Sequence, residues 1–377
     1  YVHSDIMNEY LLLRMASERY LSKDQIILSD LKYIDKDFEN KFHLNESTIL
    51  ITGCAGFLGY YFLQYLLRYG STIGINKVIG VDNFLIGRPK WLSEMEEKYK
   101  FFELHDFNII KDDLDQIISS NEADYILHMA SIASPTFYRK YPIETLDANI
   151  WGLRKLLEFY KDKDIKGFLM FSSSEVYGDP SKDSIPTEEI YRGNVSTTGP
   201  RACYDEAKRF SETICYLFAQ EYQMPITMVR PFNNYGPGMK INDKRVPADF
   251  AKAIIENKNI NIFSDGNPTR TFCYISDAIT GYLKALTYGK FDIFNIGTEK
   301  PEISIRNLAE IYKSHGINYF KYTGEITFLE SNDLDYMTDN PNRRCPSIKK
   351  AKRLLNYSPR INIDDGIFRF LNFLKDY

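Results

Sequence analysis

The chain has 377 residues, 44% of them hydrophobic and 26% charged, with a formal net charge of −4. That length supports one large domain or two, and the composition is ordinary for a globular protein. The charge supplies no basic field for nucleic acid, no apolar run reaches membrane-spanning length, and no signal-peptide pattern opens the sequence.

Met7 to Leu21 carries apolar residues at helical spacing, and a second amphipathic stretch runs from about Leu28 to Phe42. Residues 1–47 are therefore expected to form a helical N-terminal extension packed on the domain or on a partner subunit. From Ser47 the pattern changes. The β-branched run Ser47–Thr52 reads as a buried parallel strand, followed by a glycine-rich turn and a helix from Phe57 to Tyr69. Further strands are predicted at Lys77–Val81, Lys100–Leu104, Ala123–Met129, Gly167–Ser172 and Met224–Arg230, with helical stretches between most of them. This alternation predicts an α/β fold, a doubly wound parallel sheet of Rossmann type spanning residues 48–236. After Pro237 the alternation loosens. Residues 237–377 are expected to form mainly a smaller substrate-binding lobe, with some segments returning to the sheet domain.

The five cysteines, Cys54, Cys203, Cys215, Cys273 and Cys345, are scattered and form no Cys-x-x-Cys pair. The spacing argues against a disulfide framework or a zinc site and for a reducing cytoplasm. The five histidines show no ligand spacing either, so no metal is expected.

Gly53, Gly56 and Gly59 form a Gly-x-x-Gly-x-x-Gly turn between the first strand and first helix. There the bare backbone can approach a pyrophosphate, whose charge the helix N-terminus favours. Asp82, at the end of the second strand, can accept hydrogen bonds from both hydroxyls of an adenosine ribose and repels a 2′-phosphate. The expected cofactor is therefore NAD rather than NADP. Asp106 and Phe107, after the third strand, could hold the adenine edge. Tyr204 and Lys208 form a Tyr-x-x-x-Lys pair, which on a helix shares one face. An ammonium beside the phenol should lower its pKa and make it a base. Ser172–Glu175 places hydroxyls at the end of the fifth strand, where a doubly wound sheet builds its site.

Together the glycine turn, the strand-end serines and Tyr-x-x-x-Lys resemble the extended short-chain dehydrogenase/reductase superfamily. Within it the sequence is most similar to the UDP-glucuronate decarboxylase (UDP-xylose synthase) family. The similarity is carried by Asp82–Arg88, His128–Pro135, Ser173–Pro180 and above all Gly199-Pro-Arg-Ala-Cys-Tyr-Asp-Glu-Ala-Lys-Arg209. Phe232–Pro237, Asn242–Val246 and Thr269–Phe272 add to it. The resemblance covers about residues 48–375. It implies an NAD site formed by Gly53, Gly56, Phe57, Leu58, Gly59, Asp82, Asn83, Phe84, Arg88, Asp106, Phe107, Ala130, Ser131, Tyr204 and Lys208. It further implies that Tyr204 deprotonates the C4 hydroxyl of a nucleotide sugar while hydride leaves C4, that Ser173 bonds the C4 oxygen, and that Lys208 binds the nicotinamide ribose.

The resulting 4-keto sugar has its C6 carboxylate β to a ketone and loses CO₂ readily. Ser174, Glu175 and Arg270 match positions that handle that carboxylate and reprotonate C5. Tyr138, Asn233, Arg245, Arg270, Tyr274 and Arg344 match substrate-binding positions, with Asn233, Arg245 and Arg344 on the diphosphate. The family also implies a homodimer built on the helix carrying Tyr204 and the helix after Asn149. Four departures lie near the substrate side: Ser173 replaces the usual threonine, Gly238 an arginine, Ser196–Thr198 an Asn-Pro-Ile run, and Ser347 an aspartate. They leave open a 4-epimerase or a 4,6-dehydratase acting on a different sugar. A non-catalytic dinucleotide-binding scaffold has no need of Ser173, Glu175, Tyr204 and Lys208 together.

Overall fold

The structure, a computed structural model, describes residues 22–330, 335 and 338–375. The periodic stretch from Met7 to Leu21 lies outside them. The second amphipathic stretch forms helix α1 (Lys23–Asp37), which begins with a capping box: Ser22 and Gln25 satisfy each other's backbone N–H groups.

Seven parallel strands make the central sheet: β1 (Thr48–Thr52), β2 (Lys77–Asp82), β3 (Phe102–Asp106), β4 (Ala123–His128), β5 (Gly167–Phe171), β6 (Ile226–Pro231) and β7 (Asp292–Ile296). Their order is β7-β6-β5-β4-β1-β2-β3. The third strand lies two residues later than its apolar run suggested. The seventh was not foreseen. Asp292-Ile-Phe-Asn-Ile alternates too briefly to stand out, yet it pairs with β6 from Asp292↔Thr227 to Ile296↔Pro231.

Period-2 geometry divides the strand residues between two cores. Ile49, Ile51, Val78, Leu127, Leu169 and Val229 face one, whereas Leu50, Ile79, Ile126, Phe168, Met170 and Met228 face the other. Burial on both faces explains the unbroken apolar runs of β1 and β5.

Helix α2 (Phe57–Ile73) leaves the glycine turn and stops at Gly74, whose φ of +86° closes the helix in a left-handed cap. Helix α3 (Ala202–Tyr222) follows β5, and helix α4 (Ile275–Leu286) is buried along its whole length. Helix α5 (Ile363–Leu374) ends the described chain and packs its apolar side inward. Helix α1 packs on α2, α4 and α5, burying Ile26, Ile27, Leu31 and Ile34 completely or nearly so. Its Asp30 is fully buried. It accepts from the hydroxyls of Tyr61 and Tyr274, each at 2.7 Å, and pairs with Arg369 at 2.5 Å. Among the described residues no helix is long and apolar enough to cross a membrane.

Candidate active site

The strand order reverses between β1 and β4, the point at which doubly wound sheets open a crevice beyond the strand ends. A cleft of about 1080 Å³ lies there, lined by residues that follow β1, β2, β4, β5 and β6.

At one end stands the glycine turn. Gly53 has φ of +71°, and a Cβ there would meet the Ala130 backbone nitrogen at 2.8 Å. A Cβ on Gly59 would lie 2.2 Å from the Cys54 carbonyl oxygen, so only glycine lets α2 start against the turn. Asp82 accepts from the N–H groups of Ala55 (3.0 Å) and Phe84 (2.9 Å), one bond per oxygen, which leaves both oxygens able to accept again. Burial raises its carboxyl pKa, while those two backbone bonds oppose the rise. Gly56, Phe57, Leu58, Asn83, Phe107, Ala130 and Ser131 also line the cleft. A cradle closed to side chains, a helix N-terminus opening on it and a carboxylate at the β2 end fit an adenine dinucleotide.

Three residues expected on the cofactor are not on the cleft wall. Arg88 pairs with Glu96 at 3.0 Å and lies over the Phe84 ring. Phe84 is packed against the core, and Asp106 is exposed at the end of β3.

Tyr204, Lys208, Ser173, Ser174 and Glu175 meet at the other end. The expected lowering of the Tyr204 pKa does not occur. Burial raises the phenol to about 12, although the Ser173 hydroxyl opposes the shift. Burial also brings the Lys208 ammonium down to about 7; its Nζ donates to the Phe171 carbonyl at 2.6 Å and lies 5.7 Å from the Tyr204 ring centre. Tyr138 stacks on Tyr204 at 5.1 Å with 9° between the rings. Asn149, in a π-helical turn, donates to Ser131 at 3.0 Å and so orients a residue of the cleft wall.

Arginines surround Glu175. Arg344 Nη2 reaches its Oε2 at 3.0 Å, and Arg201 Nη2 bonds the same oxygen. Burial alone would raise the Glu175 carboxyl, but Arg344, Arg201 and Arg270 outweigh it and hold the pKa at about 2. Arg270 and Arg344 face each other as cross-strand neighbours in a small three-stranded sheet. Arg270 spends its N–H groups on the carbonyls of Thr269, Pro341 and Asn342 and on the Asn340 side chain. Asn233 and Arg245 line the cleft, Arg245 paired with Asp243 and lying over Phe57.

Two residues expected on the substrate are not on the cleft wall. Arg344 donates to Glu175 and the Ser174 carbonyl. Tyr274 is fully buried and held by Asp30, off the cleft. Sequence reasoning missed Arg201 and Asp205 as site residues. The signal was present: both stand in the quoted segment around Tyr204, three residues before it and one after.

A model of the NAD dependent epimerase/dehydratase family matches residues 49–297. The chain is 34% identical over 331 residues to UDP-glucuronic acid decarboxylase 1 of Xenopus tropicalis, covering 87% of this chain and 72% of that one. It is 32% identical over 332 residues to UDP-glucuronic acid decarboxylase 6 of Arabidopsis thaliana, covering 87% and 89%. Among solved structures it resembles UDP-glucuronic acid 4-epimerase from Bacillus cereus in complex with UDP-glucuronic acid and NAD. The TM-score is 0.71 and the identity 28%, over 87% of this chain and 99% of that chain. UDP-glucose 4-epimerase from Thermotoga maritima with UDP-glucose gives 0.75 and 26% over the same shares. With a doubly wound sheet, a glycine cradle at its switch point and a family match over most of its length, the chain belongs to the NAD-dependent epimerase/dehydratase family and is an NAD-dependent nucleotide-sugar enzyme.

Proposed function

We propose that the chain converts UDP-glucuronate to UDP-xylose and CO₂ through a 4-keto sugar. The observation that carries this reading is the buried knot of Glu175 with Arg201, Arg344 and Arg270 beside Tyr204. The hydroxyls of a neutral hexose can accept hydrogen bonds from such a patch but bring it no charge, whereas a sugar carboxylate supplies both. The similarity to two UDP-glucuronic acid decarboxylases supports the same reading.

In this reading Tyr204 Oη takes the C4 hydroxyl proton, Ser173 holds the C4 oxygen, and Lys208 holds the nicotinamide ribose. Bound NAD⁺ supplies the hydride acceptor for C4 and, once reduced, the donor that restores it. The C6 carboxylate is then β to a ketone, so the C5–C6 electron pair passes into an enolate as CO₂ leaves. Glu175, Ser174 and Arg270 handle the carboxylate and the return of a proton to C5 in this reading. Asn233, Arg245 and Tyr138 hold the nucleotide and sugar. We infer a homodimer as the working unit.

The solved 4-epimerase with UDP-glucuronic acid bound gives a second reading specific support: the same substrate with its carboxylate retained. Incubation with UDP-glucuronate and catalytic NAD⁺, followed by mass spectrometry, separates the two. Decarboxylation gives a UDP-pentose and no net NADH; epimerisation leaves the mass unchanged. Tyr204→Phe should lower either activity by at least about a hundredfold, the usual reach of a general base. Full activity in that variant would refute the role of Tyr204.

A further inference from the structure

Asp205 stands next to Tyr204, and the reading above gives it no task. It is 4% exposed. Its Oδ2 receives the Arg201 Nε–H at 3.3 Å, and its Oδ1 has no hydrogen-bond partner. The same guanidinium sends its Nη2 to Glu175, whose receiving oxygen also takes Arg344. One arginine therefore serves two carboxylates; Arg344 shares one of them, while Arg270 lies close enough to feel Glu175 and also feels Asp179 and Glu302. Protonation of Asp205 removes one negative charge and leaves the patch one unit more positive. Buried, uncompensated charge is costly, so such a patch favours an incoming anion.

We propose that Asp205 is a positioning residue that competes with Glu175 for Arg201, so that its charge sets how strongly the sugar end of the cleft prefers a carboxylate-bearing sugar over a neutral one. This rests on the UDP-glucuronate reading above. The groups facing Asp205 come from four places besides its own helix. Glu175 stands on the turn after β5, Arg201 at the entry to α3, Arg344 on its strand, and Tyr138 stacked on Tyr204; Cys203 and Tyr204 precede it on α3.

Burial, and next Glu175, push the Asp205 carboxyl up to about 7, against Arg201 and Arg344. Its folded pKa is thus raised, and it gains its proton as pH falls through neutrality. The patch becomes more positive in that direction, and the preference for an anionic sugar grows. UDP-glucuronate and UDP-glucose share the uridine and the diphosphate, so effects on those groups cancel in the ratio of the two affinities. Lys208, which titrates in the same range, contributes the same slope with and without Asp205, so the part of the slope that Asp205→Asn removes reports Asp205.

The test is calorimetric binding of both nucleotides to NAD-loaded Tyr204→Phe protein, which suppresses turnover, at pH 6 and pH 8.5. The preference for UDP-glucuronate should be roughly tenfold greater at pH 6, the effect of one unit charge about 12 Å away at an effective dielectric of about 20. Adding Asp205→Asn, which keeps the shape and an acceptor for Arg201, should reduce the slope and lift the high-pH ratio toward its low-pH value. A slope that Asp205→Asn leaves unchanged overturns the proposal, as does a flat ratio with Asp205 present; in both cases a clear preference for UDP-glucuronate leaves the substrate reading standing. No preference for UDP-glucuronate at either pH overturns the substrate reading and this proposal with it.

Discussion

At the scale of single residues, the site sets burial against charge. Lys208 lies one helical turn beyond Tyr204, and the four-residue spacing alone places both on one face of α3. What spacing cannot supply is the dielectric around them. Burial brings the Lys208 ammonium from the ordinary lysine range down to about 7. The unfolded chain then binds that proton more tightly than the folded one, so stability rises with pH between about 7 and the normal lysine range. Below about 7 the buried charge costs on the order of a few kcal/mol. Lys208→Met should therefore raise the melting temperature, and raise it more at pH 6 than at pH 9, while activity falls. Thermal melts at both pH values, without added nucleotide, check this. An equal gain at both pH values would mean that Lys208 is not destabilised by its charge.

At the scale of elements, legibility followed periodicity. The β-branched run at β1, the turn at Gly53–Gly59 and the carboxylate at Asp82 could be read because strand, turn and strand end each follow local rules. Arg270 and Arg344 come together only because two short strands pair in register, more than seventy residues apart, and no local pattern encodes that. Tyr274 misled for the same reason: its segment borders the site, but a distant helix claims its hydroxyl. That helix, α1, lies outside the residues matched by the family model and is tied in by Asp30. Asp30→Ala leaves Arg369 buried without its partner and removes the acceptor of two tyrosines. Breaking one side of a buried ion pair typically costs about 3–5 kcal/mol. Urea denaturation should show a loss of that order, and a loss below about 1 kcal/mol would mean that α1 is only loosely docked.

At the scale of the whole molecule, the helix that buries Tyr204 and Lys208 on one side leaves Phe210 (51% exposed) and Leu217 (56%) on the other. Ile214 and Phe218 on the same helix belong to the core. Trp151, 55% exposed, stands on the π-helical turn that packs against the same helix. Large apolar side chains gathered on neighbouring elements suit a two-fold contact, in which each copy presents the same patch to the other. A Phe210→Asp/Leu217→Asp variant places carboxylates in that contact and should convert a dimer to a monomer in sedimentation velocity. Both positions are already exposed, so the variant should keep its fold. Its kcat should still fall if the proposed two-fold contact supports α3 along the face opposite the Tyr204 phenol. A wild-type chain that sediments as a monomer, or a variant whose mass does not change, would remove the dimer from this account. A monomeric variant with undiminished kcat would show that α3 holds Tyr204 and Lys208 in place through the contacts within one chain alone.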